Sequence, residues 1–282
     1  LMVRRLLTAL LAVLLLAACT QEPPVEEEPI SVSGGLGRAP TVSFETPLPL
    51  AEAEQHELIT GEGRALEAGD PVLLAISAFD GQTGELLPDR GAGEARTLLL
   101  TPEEVGEDIY PILVGATEGT RLLLTEPVST EDGDRMLVLV LDVLHTVAQG
   151  EELEQPEGLP TVSESDDGGV EIALPDSDPP TSLEVWTVIR GDGPQVSPDQ
   201  RVVMQYTAVT WSGGEIYDST WADGQVPRSV LLEETFAGLR DGLTDQTVGS
   251  RTAIVVPPAL GTGSQTLVFA VDILAATDVE TE

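Results

Sequence analysis

Cysteine and histidine are almost absent from this sequence, which limits the chemistry that it can carry. Its 282 residues include one cysteine and two histidines, so no disulfide can form within the chain. His56 and His145 have no cluster of further ligands beside them, so we expect both at the surface and no metal site. The sequence has no Gly-x-Ser-x-Gly elbow, and its glycine-rich stretches GLGRAP and GTGSQ do not open a long helix after a strand. Neither a serine hydrolase nor a nucleotide-binding protein is therefore expected.

Lysine is missing altogether, and aromatic residues make up only 4% of the chain. All 13 basic side chains are arginine, against 49 Asp and Glu, which gives a formal net charge of −36. Such a charge repels nucleic acid and anionic lipid headgroups, so nucleic acid is not an expected partner. Two explanations of the acidity stay open: a halophilic source, or a solubility device in a chain whose arginine preference reflects high-GC codon usage.

The beginning of the chain has the features of an export signal. Arg4 and Arg5 precede an apolar run, Leu6 to Ala18, that is too short to span a bilayer comfortably. The run ends in the letters LAAC, which resemble a bacterial lipobox with Cys19 as the lipidated residue. We therefore predict a lipoprotein signal peptide at 1–18 and a lipid on Cys19; an ordinary signal peptide with an incidental cysteine is the alternative.

Stretches poor in apolar residues divide the remaining chain. One of them contains SESDDGG, where Asp166 and Asp167 lack the spaced oxygen ligands of a calcium loop. In the same stretch, Val170–Leu174 fits one short strand. The predicted division is a disordered tether at 19–49, a folded unit at 50–148, a linker at 149–180, a folded unit at 181–277 and an acidic tail at 278–282.

The two folded units look like copies of one another. LITGEG in the first corresponds to VIRGDG in the second, and LVLVLDVL corresponds to LVFAVDIL. Matched residues share one offset of 130 positions: Gly61, Gly63, Gly119, Arg121 and Asp142 correspond to Gly191, Gly193, Gly249, Arg251 and Asp272. A shared offset at five positions indicates an internal duplication.

Alternating polarity predicts that strands dominate both units. Residues 202–210 alternate between two faces, and Leu267, Phe269, Val271 and Ile273 share one face of a later strand. Between them, Leu232, Phe236, Leu239 and Leu243 follow helical spacing. The predicted class is α+β, with each unit a curved antiparallel sheet wrapped around a short helix.

A series of short motifs runs through the second unit. In order they are MQYTA around Tyr206, Tyr217-Asp218-Ser219 after Gly213-Gly214, Trp221, Phe236-Ala237-Gly238-Leu239, Val248-Gly249-Ser250-Arg251 and Thr266-Leu267-Val268-Phe269. Over about residues 184–276 this order resembles an FKBP-type peptidyl-prolyl cis-trans isomerase domain. Without that resemblance, aromatic residues on inward strand faces are explained by core packing alone.

The resemblance implies an isomerase that needs no nucleophile, metal or cofactor. It implies that an apolar pocket holds the proline ring, that Asp218 lies at the rim, and that Trp221 and Thr262 contribute to substrate binding. The implied pocket residues are Tyr206, Tyr217, Phe236, Leu239 and Phe269. The expected partners are proline-containing polypeptides that are unfolded or secreted.

Three departures from the family pattern lead us to expect reduced activity. Leu239 replaces a floor tryptophan, and Thr262 stands where the family usually has a tyrosine that hydrogen-bonds the substrate carbonyl. The stretch Gly263–Thr266 is shorter than the usual flap. In the first unit the pocket positions carry Ile76, Leu87-Pro88, Gly106 and Ile109, so we expect it to be a degenerate, non-catalytic copy.

These observations together predict a prolyl isomerase that is lipid-anchored at the outer face of a bacterial cell membrane. A non-catalytic FKBP-like binding or chaperone lipoprotein is the main alternative, and a purely structural envelope protein is a weaker one. Retention of Tyr206, Tyr217, Asp218 and Phe269 favours catalysis, whereas Leu239 and Thr262 favour binding.

Overall fold

The computed structural model describes residues 30–131, 133–165, 169–221 and 225–279. The predicted signal peptide at 1–18, Cys19, and the aspartates 166 and 167 lie outside these ranges. Within them, no helix combines the length and apolarity needed to cross a membrane.

Strands make up most of the described chain. They are β1 (Ile30–Ser33), β2 (Thr41–Phe44), β3 (Glu54–Ile59), β4 (Pro71–Asp80), β5 (Ala92–Leu99), β6 (Arg121–Thr130), β7 (Gly133–Leu144), β8 (Glu151–Glu152), β9 (Thr161–Glu164), β10 (Val170–Ala173), β11 (Glu184–Arg190), β12 (Arg201–Thr210), β13 (Ile216–Ser219), β14 (Arg228–Leu231), β15 (Arg251–Val256) and β16 (Leu267–Thr277). The helices are α1 (Pro102–Val105), α2 (Tyr110–Leu113) and α3 (Ala237–Leu243), with 3₁₀ turns at Leu232–Glu234 and Pro258–Leu260.

Two antiparallel sheets define two domains with the same topology. In the first domain the strand order is β3-β6-β7-β4-β5, and in the second it is β11-β15-β16-β12, with β13 and β14 both pairing β12. Equivalent strands also pair in equivalent register: Arg121 lies opposite Asp142, and Arg251 lies opposite Asp272. The described residues therefore confirm the predicted α+β class with two copies of one fold.

The matched glycines keep their place because a side chain would not fit there. A Cβ on Gly61 would lie 2.3 Å from the carbonyl oxygen of Glu118, and one on Gly191 would lie 2.3 Å from that of Val248. Gly119 and Gly249 have φ values of +92° and +89°, which favour glycine. The duplication thus preserved the residues that let two backbone turns approach each other closely.

The matched arginine and aspartate form a buried ion pair in each domain. Arg251 donates to Asp272 from Nε at 2.6 Å and from Nη2 at 2.7 Å, and the Arg121–Asp142 pair has the same two distances. Each aspartate also accepts a backbone N–H from outside its sheet. The donor is Gly37 for Asp142 and Ala148 for Asp272. Both pairs therefore fix a neighbouring segment of chain against the sheet.

A small hairpin covers the outer face of each sheet, and this corrects the predicted tether and linker. Strands β1 and β2 pair and pack with Phe79, Leu123 and Val140, although 19–49 was predicted to be a disordered tether. Strands β9 and β10 pair and pack with Ala253 and Ala270, although 149–180 was predicted to be a linker. The predicted short strand at Val170–Leu174 corresponds to β10, Val170–Ala173.

Sequence composition concealed these hairpins because they bury few side chains. In β1 and β2, exposed residues alternate with covered ones, so that each strand contributes only two side chains to the contact. The hairpins contact equivalent positions of the two sheets, since 123 and 253, and 140 and 270, differ by 130. The repeated unit therefore includes a hairpin in front of each domain.

The domains contact each other through the sheet faces that lie opposite their cores. Leu73, Ala75 and Leu144 of the first domain pack with Val203 and Leu274 of the second. Along β12, Val203 alternates with Val202 and Met204, which face the core of the second domain. The interdomain contact therefore lies on the back of the sheet whose front carries the candidate site.

The segment that connects the domains forms hydrogen bonds with both of them at Thr146. Thr146 donates its hydroxyl to Glu118 at 2.6 Å, and its carbonyl oxygen accepts from Gln205 at 3.0 Å. His145 was predicted to be a surface residue, but its side chain is 30% exposed, with Nδ1 3.7 Å from a Glu118 carboxylate oxygen. Burial alone would raise the pKa of Glu118, but the contacts with His145 and Thr146 and the charge of Arg64 outweigh it and lower that pKa.

Candidate active site

Aromatic side chains from three elements meet on the inner face of the second sheet. The ring centroids of Tyr206 on β12 and Phe269 on β16 are 6.1 Å apart, and those of Phe236 and Phe269 are 5.7 Å apart. Both pairs are tilted by about 45°, and their centroid separations lie in the range of interacting aromatic pairs. Tyr206 and Phe269 are diagonal neighbours on directly paired strands, because Tyr206 lies opposite Val271 and Phe269 lies opposite Ala208. These rings and Leu239 belong to one apolar cluster, which is where the predicted pocket would lie.

Helix α3 contributes Leu239 to the same apolar cluster. Leu239 is buried, and Phe236 precedes the helix at its N-cap position. The helix lies very close to β15, because a Cβ on Gly238 would come within 2.4 Å of Val256 Cγ1. Gly238 in the Phe-Ala-Gly-Leu motif therefore allows helix α3, with Leu239, to pack closely against β15.

A polar network borders this aromatic cluster. The Tyr206 hydroxyl donates to Asp218 Oδ2 at 2.6 Å, and Arg228 Nη1 lies 3.3 Å from the same oxygen. The guanidinium of Arg228 also stands over the Tyr206 ring, 5.4 Å from its centroid. Asp218 and Arg228 are about half exposed, whereas Tyr206 is 4% exposed. The network thus joins a buried phenol to an ion pair at the rim.

This environment holds Tyr206 in its protonated form. Burial raises the pKa of the Tyr206 hydroxyl, and the hydrogen bond to Asp218 raises it further. The charge of Arg228 opposes the shift and does not cancel it. Tyr206 therefore acts as a fixed hydrogen-bond donor to Asp218 at every ordinary pH.

The edge of the second sheet is interrupted beside Tyr206. Strand β13 pairs β12 as far as Ser219 opposite Thr207, and β14 resumes the pairing at Arg228 opposite Met204. Tyr206 lies between these two stretches, and its backbone is held by Thr220 through bonds of 2.9 and 3.0 Å. Asp218 and Arg228 therefore reach Tyr206 from either side of the break.

Two further hydroxyl groups of the predicted site lie close together. Tyr217 on β13 is 55% exposed, and Thr262, which follows the 3₁₀ turn, is exposed. Their oxygen atoms are 3.5 Å apart. The structure thus brings the predicted residues Tyr217 and Thr262 together across the rim.

Trp221 does not join this site, although the sequence predicted that it would bind substrate. Its side chain packs on the outer face of the sheet with Trp186, Val162 and Val170. Residue 221 follows the end of β13, where the chain leaves the sheet. There the β9–β10 hairpin covers the ring, and so Trp221 contributes to packing on the back of the second domain.

In the first domain, the positions equivalent to Tyr206, Asp218 and Arg228 carry Ile76, Pro88 and Leu98, whose side chains have no polar group to form such a network. Its edge strand β5 pairs with β4 from Ala92 opposite Ser77 to Leu99 opposite Pro71, and a bridge between Leu86 and Phe79 continues the pairing along β4. The positions that correspond to the pocket carry Ile76, Leu87 and Ile109, which pack against the core of that domain. The equivalent of the pocket is therefore filled with aliphatic side chains.

Sequence reasoning missed Arg228 and Thr220. One signal pointed to Arg228: it is one of only 13 cations in the chain and follows Asp218 by ten positions. Its partner could not be deduced, because that depends on the break between β13 and β14. Thr220 had no signal beyond its place after the Tyr-Asp-Ser motif.

Comparisons with known proteins agree on one family. The family model for FKBP-type peptidyl-prolyl cis-trans isomerases matches residues 193–274. A "Probable FK506-binding protein" of Corynebacterium glutamicum is 30% identical over 115 residues, which cover 38% of this chain and 97% of that protein. The FK506-binding protein of Streptomyces anulatus is 28% identical over 117 residues, covering 37% of this chain and 94% of that protein.

Solved structures also match this chain, at lower sequence identity. The crystal structure of FkpA from Escherichia coli has 23% sequence identity and a TM-score of 0.33. The match covers 44% of this chain and 54% of that one.

Proposed function

This chain belongs to the FKBP-type peptidyl-prolyl cis-trans isomerase family, and we propose that the pocket around Tyr206 in its second domain is where it isomerises X–Pro bonds. The observation that carries this proposal is the joining of an apolar aromatic wall to the Tyr206–Asp218–Arg228 network. The clients that we propose are extracytoplasmic polypeptides with exposed proline, and Cys19 is the proposed lipid anchor.

The chemistry needs a surface that favours a twisted amide over a planar one. Rotation about the amide C–N bond costs about 18–20 kcal/mol because resonance is lost. A planar amide has more charge separation than a twisted one, so transfer from water to an apolar wall costs the planar form more. The rings of Tyr206, Phe236 and Phe269 provide such a wall, and Leu239 limits its depth.

Asp218 has a distinct part in this proposal. Because Tyr206 and Arg228 hold its carboxylate, it stays at the rim with a fixed orientation. From there it organises the polar surroundings of the carbonyl that rotates out of plane. Arg228 offsets its charge, which lets a carboxylate stand beside an apolar pocket without being fully desolvated.

Replacing pocket residues with their counterparts from the first domain tests the assignment. Tyr206→Ile and Phe269→Leu introduce the residue types of Ile76 and Leu139, which lie at the same offset of 130. We expect each to lower kcat/KM for an X–Pro peptide by roughly tenfold or more, because each removes an aromatic contact with the proline ring. Ile76→Leu in the first domain is the matched control and should leave kcat/KM unchanged.

The outcomes separate the enzyme from a binding protein. An intact chain that binds proline peptides without accelerating their isomerisation would favour the non-catalytic alternative, which the aliphatic floor at Leu239 supports. Acceleration that survives both substitutions would place the active site elsewhere.

The proposed anchor needs its own experiment, made on the precursor in a host that lipidates proteins. With wild-type protein, we expect the chain in the membrane fraction. Cys19→Ala should release it, and membrane association that persists in this variant contradicts the anchor.

A further inference from the structure

Most polar groups around the pocket are already committed to one another. The Tyr206 hydroxyl donates its proton to Asp218, and Arg228 pairs with the same carboxylate. Phe236, Leu239 and Phe269 offer no hydrogen-bond donor. Among the described side chains that line the pocket, the uncommitted O–H groups are those of Tyr217 and Thr262.

These two hydroxyls are arranged so that one orients the other. Tyr217 extends from β13, and Thr262 lies on the opposite side of the mouth, with 3.5 Å between their oxygen atoms. When Thr262 donates to the phenol oxygen, the Tyr217 proton is free to point elsewhere. The phenol is the more acidic of the two groups and the longer side chain, so it is the better donor to a bound ligand.

Given the proposed function, we propose that the Tyr217 hydroxyl donates to the carbonyl oxygen of the residue before the substrate proline. Thr262 is a positioning residue that acts through Tyr217. An extended polypeptide whose proline ring enters the pocket must leave this carbonyl at the mouth, where Tyr217 is 55% exposed. The hydroxyl pair thus selects substrates by their backbone and tolerates different side chains before proline.

This hydrogen bond should strengthen binding without lowering the barrier. A carbonyl oxygen is a better acceptor in the planar amide, where resonance gives it more negative charge, than in the twisted amide. A donor at this oxygen therefore favours the ground state at least as much as the transition state. Its removal should raise KM and should not reduce kcat.

The test compares KM and kcat in the full chain. Tyr217→Phe keeps the ring and removes the hydroxyl, and we expect KM to rise about five- to tenfold at an undiminished kcat, as for one lost hydrogen bond. Thr262→Val should raise KM by a smaller factor, about two- to threefold, and Thr262→Ser should recover that loss. In the Tyr217→Phe background, Thr262→Val should have no further effect.

Several outcomes overturn the proposal. They are an unchanged KM in Tyr217→Phe, a fall in kcat with KM constant, or an additive effect of Thr262→Val in the Tyr217→Phe background. Calorimetry with a proline-containing peptide keeps the test independent of catalysis. If the wild-type chain binds the peptide but does not isomerise it, the proposed function fails, while a weaker affinity in Tyr217→Phe still supports the donor.

Discussion

The duplicated ion pairs allow one experiment to compare two copies of the same interaction. Asp272 is fully buried and is the only hydrogen-bond partner of the Arg251 guanidinium among the described residues. Asp272→Ala leaves that buried charge without a hydrogen-bond partner and with only the weaker attraction of Glu164 and Glu152, and breaking a buried ion pair typically costs about 3–5 kcal/mol. It also removes the acceptor for the Ala148 N–H. The second domain should therefore lose a large part of its stability.

In the first domain the same substitution should cost less. Arg121 also donates to the backbone oxygens of Gly34 and Gly35, at 2.8 and 2.9 Å. These two acceptors remain in Asp142→Ala, so the guanidinium keeps part of its hydrogen bonding. Since a hydrogen bond to a charged group contributes about 1.5–3 kcal/mol, we expect Asp142→Ala to cost at least about 1 kcal/mol less than Asp272→Ala.

Urea unfolding can measure the two domains separately. All three tryptophans, Trp186, Trp211 and Trp221, lie in the second domain, so their fluorescence reports its unfolding, while circular dichroism follows both domains. With a slope of about 1.5 kcal/mol per molar urea, a loss of about 3 kcal/mol lowers the midpoint by about 2 M. Equal losses in the two variants, or a larger loss in Asp142→Ala, would refute the reasoning.

Three other substitutions test the packing and the titrating groups. Glu118→Gln should destabilise the chain by about 1–3 kcal/mol at pH 7. Because the pKa of Glu118 is lowered on folding, the difference in stability from wild type should shrink as the pH falls below about 4. Urea unfolding at pH 7 and pH 3 can measure this change. The pKa of Tyr206 is raised on folding, so the unfolded chain loses this proton first and stability should fall as the pH rises above about 10. Tyr206→Phe should lessen that fall in fluorescence-monitored unfolding. Gly238→Ala should cost about 1–3 kcal/mol in thermal unfolding, because the new Cβ would meet Val256 at 2.4 Å, whereas Gly263→Ala, which has open space around it, should be neutral.

Much of the fold was predictable because the same sequence pattern occurs twice, at an offset of 130 residues. The five matched residues at a constant offset are those that form the turns and ion pairs of both sheets. Alternation along 202–210 identified β12. The helical spacing from Leu232 to Leu243 predicted one helix, but only its second half is helical: α3 begins at Ala237, and Leu232 lies in a separate 3₁₀ turn. The spacing still identified side chains that pack in the core, because burial is what such patterns record.

The unpredicted parts depend on contacts between distant segments. The β1–β2 hairpin has too few apolar residues to indicate a packed element, and it acquires its partners only from the back of the first sheet. Trp221 was assigned to the wrong side of its sheet because it lies beyond the end of β13 at Ser219, so alternation gives no direction there. Arg228 was missed because its role arises from the interruption between β13 and β14.

Strand β12 has a consequence for how this sequence can change over time. Every residue from Val202 to Val209 is buried, because one face forms the pocket and the other meets the first domain and the covering hairpin. An ordinary antiparallel strand has a solvent-facing row in which neutral substitutions accumulate. This strand has none, so substitutions are restricted at consecutive positions, and a change at the interdomain contact also acts on the backbone that carries Tyr206.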